Sequence, residues 1–309
     1  MNPALNSSLS VLLIIIIAYS FKRLKMVNID TARSMSSVVM YLTLPCAILS
    51  SAHGMQFDTS LFDIMLLSIA AGFVLLLVGF FSSRDPRRRV FNMLNISCFN
   101  IGNFVIPFMQ SSMTPKAFLA LCMFDFINAL FCFGGSYAVA MYMNRRYFPD
   151  EHISLKSIFR EMSKSLPSYT YILAVILAAM HLQLPDFIMG PVRTIAGANT
   201  LLCFMIIGIV LQLKITGEQL RMISKAWLTR YALCGLMAVL IWLFLPHDPE
   251  VRFIIMIIVM APVTSLAPIM TMKGVPEFTG ESGNLNTVYI LTSISIIAVL
   301  NSLSPLFLS

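Results

Sequence analysis

The chain has 309 residues, 58% of them hydrophobic and 11% charged, with a formal net charge of +7 and a mean hydropathy of +0.84. That balance excludes an ordinary soluble domain, since runs such as Val11 to Ala18 and Phe253 to Met260 offer no polar face to water. It also excludes nucleic acid as a partner, because 18 of the 21 Lys and Arg residues fall on one side once membrane spans are drawn, a positive-inside pattern and not a basic patch.

Apolar runs of spanning length predict helices over 5–21, 33–52, 61–81, 91–111, 116–143, 167–183, 191–213, 225–245, 251–272 and 284–306. The cytoplasmic face then carries among others Lys22, Arg23 and Lys25, the cluster Arg84, Arg87, Arg88 and Arg89, Arg145 and Arg146, Lys156, Arg160 and Lys164, and Lys214, Arg221, Lys225, Arg230 and Lys273. The opposite face keeps Lys116, Arg193 and Arg252, and no Lys or Arg falls at mid-membrane. The first span has no basic residue before it and three after it, the reverse of a secretory signal, so it reads as a retained span. An even number of spans with the first loop inside places both termini outside, in the cell's inner or plasma membrane.

In the second span, Thr43 and Pro45 begin the polar inventory. The fourth contains NISCFNIGNFVIP, from Asn95 to Pro107, which puts amides, Gly102 and a proline where a lipid-facing helix should be unbroken. Asn100, Asn103 and Pro107 are spaced i, i+3, i+7 and so predict one shared helix face. Broken backbone at that depth is tolerated only inside protein or beside a watery cavity. The fifth span carries Asp125 with Asn128 at i+3. A carboxyl inside a bilayer is costly when ionised, which makes Asp125 the candidate for proton coupling, against a purely structural role bonded to an amide such as Asn128.

The longest polar segment, 147–166, divides the chain into five-span halves over 1–146 and 167–309. Five is odd, so halves of one fold must insert with opposite orientation, an inverted repeat. Asn199 and Thr200 lie in the seventh span. The ninth holds APVTSLAP, with Pro262, Thr264, Ser265 and Pro268, the counterpart of the break in the fourth. Half-helices meeting at mid-bilayer would present N–H groups and partial positive charge to a carboxylate, with Asn side chains as directional donors.

All six cysteines fall in spans without a CxxC pair, and the four histidines are scattered, so no disulfide, metal or cofactor is expected. HExxH, GxSxG and paired aspartates at helical spacing do not occur, which argues against an enzyme.

YLTLP in the second span, FNIGNFVIP in the fourth, GANTLLCFMIIGIVL in the seventh, and APVTSLAPIMTMKGV followed by NTVYILTSISIIAVL resemble the auxin efflux carrier family, bacterial permeases related to plant PIN-type carriers. The resemblance covers nearly the whole chain. It implies an all-α integral membrane protein of ten transmembrane helices in two inverted five-helix repeats, the fourth and ninth broken and crossing at mid-membrane. A scaffold of helices 1, 2, 6 and 7 and a mobile bundle of helices 3–5 and 8–10 would move as an elevator carrying small organic anions such as malate, malonate or auxin-like acids. Asn100, Gly102, Asn103 and Pro107 would form one side of the anion site, Pro262, Thr264 and Ser265 the other, with Asn128 and Asp125 beside them. Bulky Phe104, Val105 and Ile106 depart from the small residue the family carries before its first crossover proline. A second copy of the chain is a candidate partner besides the lipid bilayer. The alternative is a membrane sensor or scaffold that keeps the carrier fold without transporting.

Overall fold

Residues 3–53, 61–109, 113–147, 166–180, 182–211 and 217–308 are described by a computed structural model, and among them every regular element is helical. Helix α1 is Pro3–Arg23, with Lys22 and Arg23 in its last turn, where cations oppose the negative end of the helix dipole. Helix α2 runs Ile29–Ala52. It starts from a capping box in which the Asn28 side chain accepts the Thr31 N–H at 2.9 Å and the Thr31 hydroxyl accepts the Asn28 N–H at 3.3 Å. After α3, Phe62–Phe81, Asp85 caps α4, Pro86–Ile96, whose first residue is a proline that needs no partner for a missing N–H.

The chain leaves the helix at 97–100 and resumes as α5, Ile101–Met109, with its axis bent by 42° from that of α4. Helix α6, Pro115–Leu130, is capped by the Thr114 hydroxyl and passes through a π turn, Phe131–Gly135, into α7, Ser136–Met143. The second half comprises α8, Leu166–Ala179, α9, Asp186–Val210, α10, Gly217–Phe244, and α11, Pro249–Val259. A non-helical stretch at 260–266 separates α11 from α12, Ala267–Gly274. A 3-10 turn, Pro276–Phe278, leads into α13, Thr279–Ser302, and the short α14, Ser304–Leu308, closes the chain.

Five of these helices, α2, α3, α9, α10 and α13, are each long and apolar enough to cross a membrane, and a sixth span results if α4 and α5 count as one broken crossing. The protein is therefore an all-α, membrane-embedded chain. The connecting segment expected at 147–166 lies, over 148–165, outside the described residues.

Two features of the breaks differ from the expectation. The first break sits at 97–100, ahead of the glycine, and Pro107 lies buried inside the helix that follows it. Proline is tolerated there because α5 opens with a π turn, Ile101–Val105, in which the Ile106 N–H bonds to the Ile101 carbonyl. The wider turn makes room for a ring that would otherwise strike the carbonyl four residues back. Helix α2 repeats the device, with a π turn at Val39–Thr43 two residues before Pro45. In consequence, Asn100 is not helical and the single face expected for Asn100, Asn103 and Pro107 does not form.

Helix α9 packs on α1 and α2, and α8 on α2. A Cβ built on Gly208 would lie 2.5 Å from the Ile15 carbonyl oxygen, so α1 and α9 touch nearly backbone to backbone, the small-residue packing that serves where burial of apolar surface gives no drive. Helix α3 packs on α4 and α6, and α10 on α11 and α13. The halves of the two broken helices interleave: α4 packs on α12, and α11 packs on the first turn of α5 and on α6. Ion pairs gather at the helix ends, Arg87 with Glu277 at 3.1 Å and Lys116 with Asp248 at 2.5 Å, exposed pairs worth about 0–1 kcal/mol each.

Candidate functional site

The two breaks meet. The Asn100 N–H, freed where α4 ends, donates to the Pro262 carbonyl at 2.9 Å. Asn128, on α6, holds both main-chain groups of the neighbouring Phe99, accepting its N–H at 2.9 Å and donating to its carbonyl at 2.8 Å. Its amide also donates to Asp125 Oδ1 at 2.9 Å. Asp125 Oδ2 accepts the hydroxyl of Tyr171, from α8, at 2.5 Å. Asp125, Asn128 and Tyr171 are all buried. An unpaired carboxylate at such a position would be prohibitive, and two donors are what allow it to remain there.

A cavity of about 90 Å³ opens beside this network. Asn100, Ile101, Gly102 and Asn103 bring the start of α5 to its wall, and Thr264, Ser265 and Leu266 bring the residues just ahead of α12. Met40 and Leu44, at the π turn of α2, close it, and Asp125, Asn128 and Tyr171 supply the polar floor. The first N–H groups of a helix lack intrahelical acceptors and carry its partial positive charge, so both broken helices turn their electropositive ends toward one space. The side-chain oxygen of Asn103 is buried there without a hydrogen-bond partner among the described residues. Gly102 keeps the wall thin: a Cβ on it would meet a Leu44 methyl at 3.2 Å.

Of the residues singled out from sequence, Asn100, Gly102, Asn103, Asp125, Asn128, Thr264 and Ser265 are brought together around this cavity. Pro262 acts from behind the wall through its carbonyl. Pro107 does not line the cavity; its carbonyl accepts the Thr200 hydroxyl at 3.4 Å, a contact between α5 and α9. Thr43 and Asn199 pair with each other at 2.9 Å, tying α2 to α9. Among the described residues, no group of three His, Cys, Asp or Glu is arranged to hold a metal.

Arg230 requires a correction. Expected among the cytoplasmic cations, it is instead fully buried near the middle of α10, because that helix begins at Gly217, earlier than the span drawn from 225. Its guanidinium donates to the carbonyls of Ile96, Cys98 and Ala261, the latter two at 2.9 Å. Ile96 ends α4, and Cys98 and Ala261 lie two residues past the ends of α4 and α11; a helix C-terminus carries a partial charge of about −0.5, so one guanidinium stands beside two of them. The rings of Phe99 and Tyr289 flank it with centroids at 5.1 and 5.4 Å. Tyr171 is a second residue that sequence reasoning misses; an aromatic side chain near the start of an apolar run carries no polar signal. A third cluster lies on the far side of the breaks, where Asn95 donates to Thr271 at 2.9 Å and accepts from Ser282, joining α4, α12 and α13.

The chain matches no protein-family model and no curated protein in sequence.

Proposed function

We propose that this protein is a secondary transporter of small organic anions, a carboxylate carrier of the auxin efflux type. In this reading ten spans form two inverted five-helix repeats in the cell membrane, with both termini outside. The α1, α2, α8 and α9 group serves as the scaffold against which the remaining helices slide. The observation that carries the reading is the meeting of two broken helices, through Asn100 and Pro262, beside a cavity onto which both helix starts open. Broken backbone inside a membrane protein is a hallmark of transporter sites, where half-helix N-termini receive the anionic group of a substrate.

Asp125 is the coupling group. Ionised, it would repel an arriving carboxylate; protonated, it removes that repulsion, so anion and proton would move together. A carboxylate at the second break, which sodium coupling would call for, is absent from 260–266.

The test is uptake of labelled malonate, malate and an indole carboxylate into proteoliposomes, with and without a pH gradient, at fixed sodium. Uptake that Asn103→Ala abolishes while the variant still inserts and binds detergent normally supports the proposal. No movement of any carboxylate, with thermal shifts still induced by one of them, would favour a sensor that keeps the carrier fold. Strict sodium dependence at constant pH would overturn proton coupling.

A further inference from the structure

We propose that Arg230 is the positioning residue of the anion site: standing behind the two breaks, it sets the separation of the helix starts that come after them and so the width of the cavity. This role rests on the carrier reading of that cavity. Arg230 does not line it.

The breaks are held at fixed points. Residues 97–100 make the connection from α4 to α5, and three of them, with Ile96 at the end of α4, are held from outside. The Ile96 and Cys98 carbonyls are held by Arg230, the Phe99 peptide by Asn128, and the Asn100 N–H by Pro262. On the other chain segment, Arg230 holds Ala261, the residue next to Pro262. A single planar group therefore spans both breaks, two residues before Asn100 on one segment and one before Pro262 on the other. Cys98 has a φ of 65°, the left-handed region that costs a residue with a side chain about 1–2 kcal/mol, and its carbonyl is one of the three that Arg230 restrains.

The acceptor set explains why arginine is needed. Three carbonyls on two chain segments are reached by a rigid fork of coplanar donors, whereas a lysine ammonium is a point charge on a flexible stem and cannot fix their mutual geometry. The partners are all main-chain carbonyls, so the side chain reads backbone position directly.

The experiment compares the full-length protein with Arg230→Lys and Arg230→Gln in detergent and in proteoliposomes. One readout needs no substrate: hydrogen–deuterium exchange of peptides covering 97–101, which includes the Asn100 N–H. The other is the KM and kcat of malonate uptake. Positioning predicts that Arg230→Lys, with the buried charge retained, exchanges this segment faster and raises KM roughly tenfold or more with a smaller change in kcat, the cost of a site loosened by fractions of an ångström. Exchange and KM both unchanged in Arg230→Lys would overturn it. Loss of folded protein in both variants would assign Arg230 to folding alone and also overturn it. If the unmodified protein moves no carboxylate, the carrier reading fails and the exchange measurement alone decides whether Arg230 fixes the breaks.

Discussion

Asn128 and Phe99 are joined by two opposed hydrogen bonds, amide oxygen to N–H at 2.9 Å and amide nitrogen to carbonyl at 2.8 Å, so a side chain on α6 replaces the neighbour that the peptide lost when α4 ended. Helix ends inside a membrane must find partners for their freed groups, and here the partners come from three other elements.

Truncating this clamp should be costly. Asn128→Ala leaves the buried Phe99 N–H unpaired, at about 1–3 kcal/mol, and its carbonyl with only the weak Cys132 thiol donor at 3.7 Å. The expected outcome is a thermal midpoint in detergent lowered by several degrees. Asn128→Asp keeps an acceptor for the Phe99 N–H but loses both donations and sets a second carboxyl beside Asp125, so it should be no better than alanine. A midpoint unchanged in both variants would mean that the peptide is held by other means.

Asp125→Asn preserves shape and a partner for the Tyr171 hydroxyl while removing the group that exchanges a proton. It should fold normally and give carboxylate uptake that no longer responds to a pH gradient. Tyr171→Phe, which leaves one carboxylate oxygen unpaired, should lower stability by about 1–3 kcal/mol without abolishing the response. Proteoliposome uptake at two external pH values separates them, and a gradient response surviving in Asp125→Asn would remove that residue from the coupling role.

Two glycines should behave oppositely. A Cβ on Gly102 would meet only the flexible end of Leu44, at 3.2 Å, and would project at the cavity wall. Gly102→Ala should therefore fold, with carboxylate binding weakened roughly tenfold, as expected for about 1–2 kcal/mol of steric cost. A Cβ on Gly79 would lie 2.8 Å from the Met93 Cα, against backbone that cannot turn away. Gly79→Ala should lose folded protein on size-exclusion chromatography, with any survivor retaining ordinary affinity.

Orientation is testable with an impermeant maleimide on intact cells. A cysteine at Arg87, beside Glu277, should be protected, and one at Lys116, beside Asp248, should be labelled. The reverse pattern would invert the topology without altering the site.

Much of this arrangement was legible in the residues. Amides and a glycine inside an apolar run marked the first break, APVTSLAP marked the second, and the i, i+3 spacing of Asp125 and Asn128 set them on one face of α6, where they bond. Arg230 was not legible, because hydropathy counts a cation toward the nearest loop and has no means of seeing three carbonyls that only the folded chain assembles. Nor was the position of the first break: Pro107 looked like the breaker, yet the helix stops ten residues earlier, at residue 97, where nothing local forbids helix and only tertiary partners reward leaving it.

The π turns ahead of Pro45 and Pro107 change the phase of the helix beyond them. A turn that absorbs one additional residue rotates every later side chain by about 100° relative to an uninterrupted α-helix. A helical wheel drawn through 101–109 therefore assigns Phe108 and Met109 to the wrong sectors. Deleting a single residue from Ile101–Val105 would not merely shorten the rod; it would turn the Phe104–Phe108–Phe204 aromatic contact out of register. Sequences aligned to this one should accordingly be matched across that turn by counting residues, since a gap there would amount to a twist.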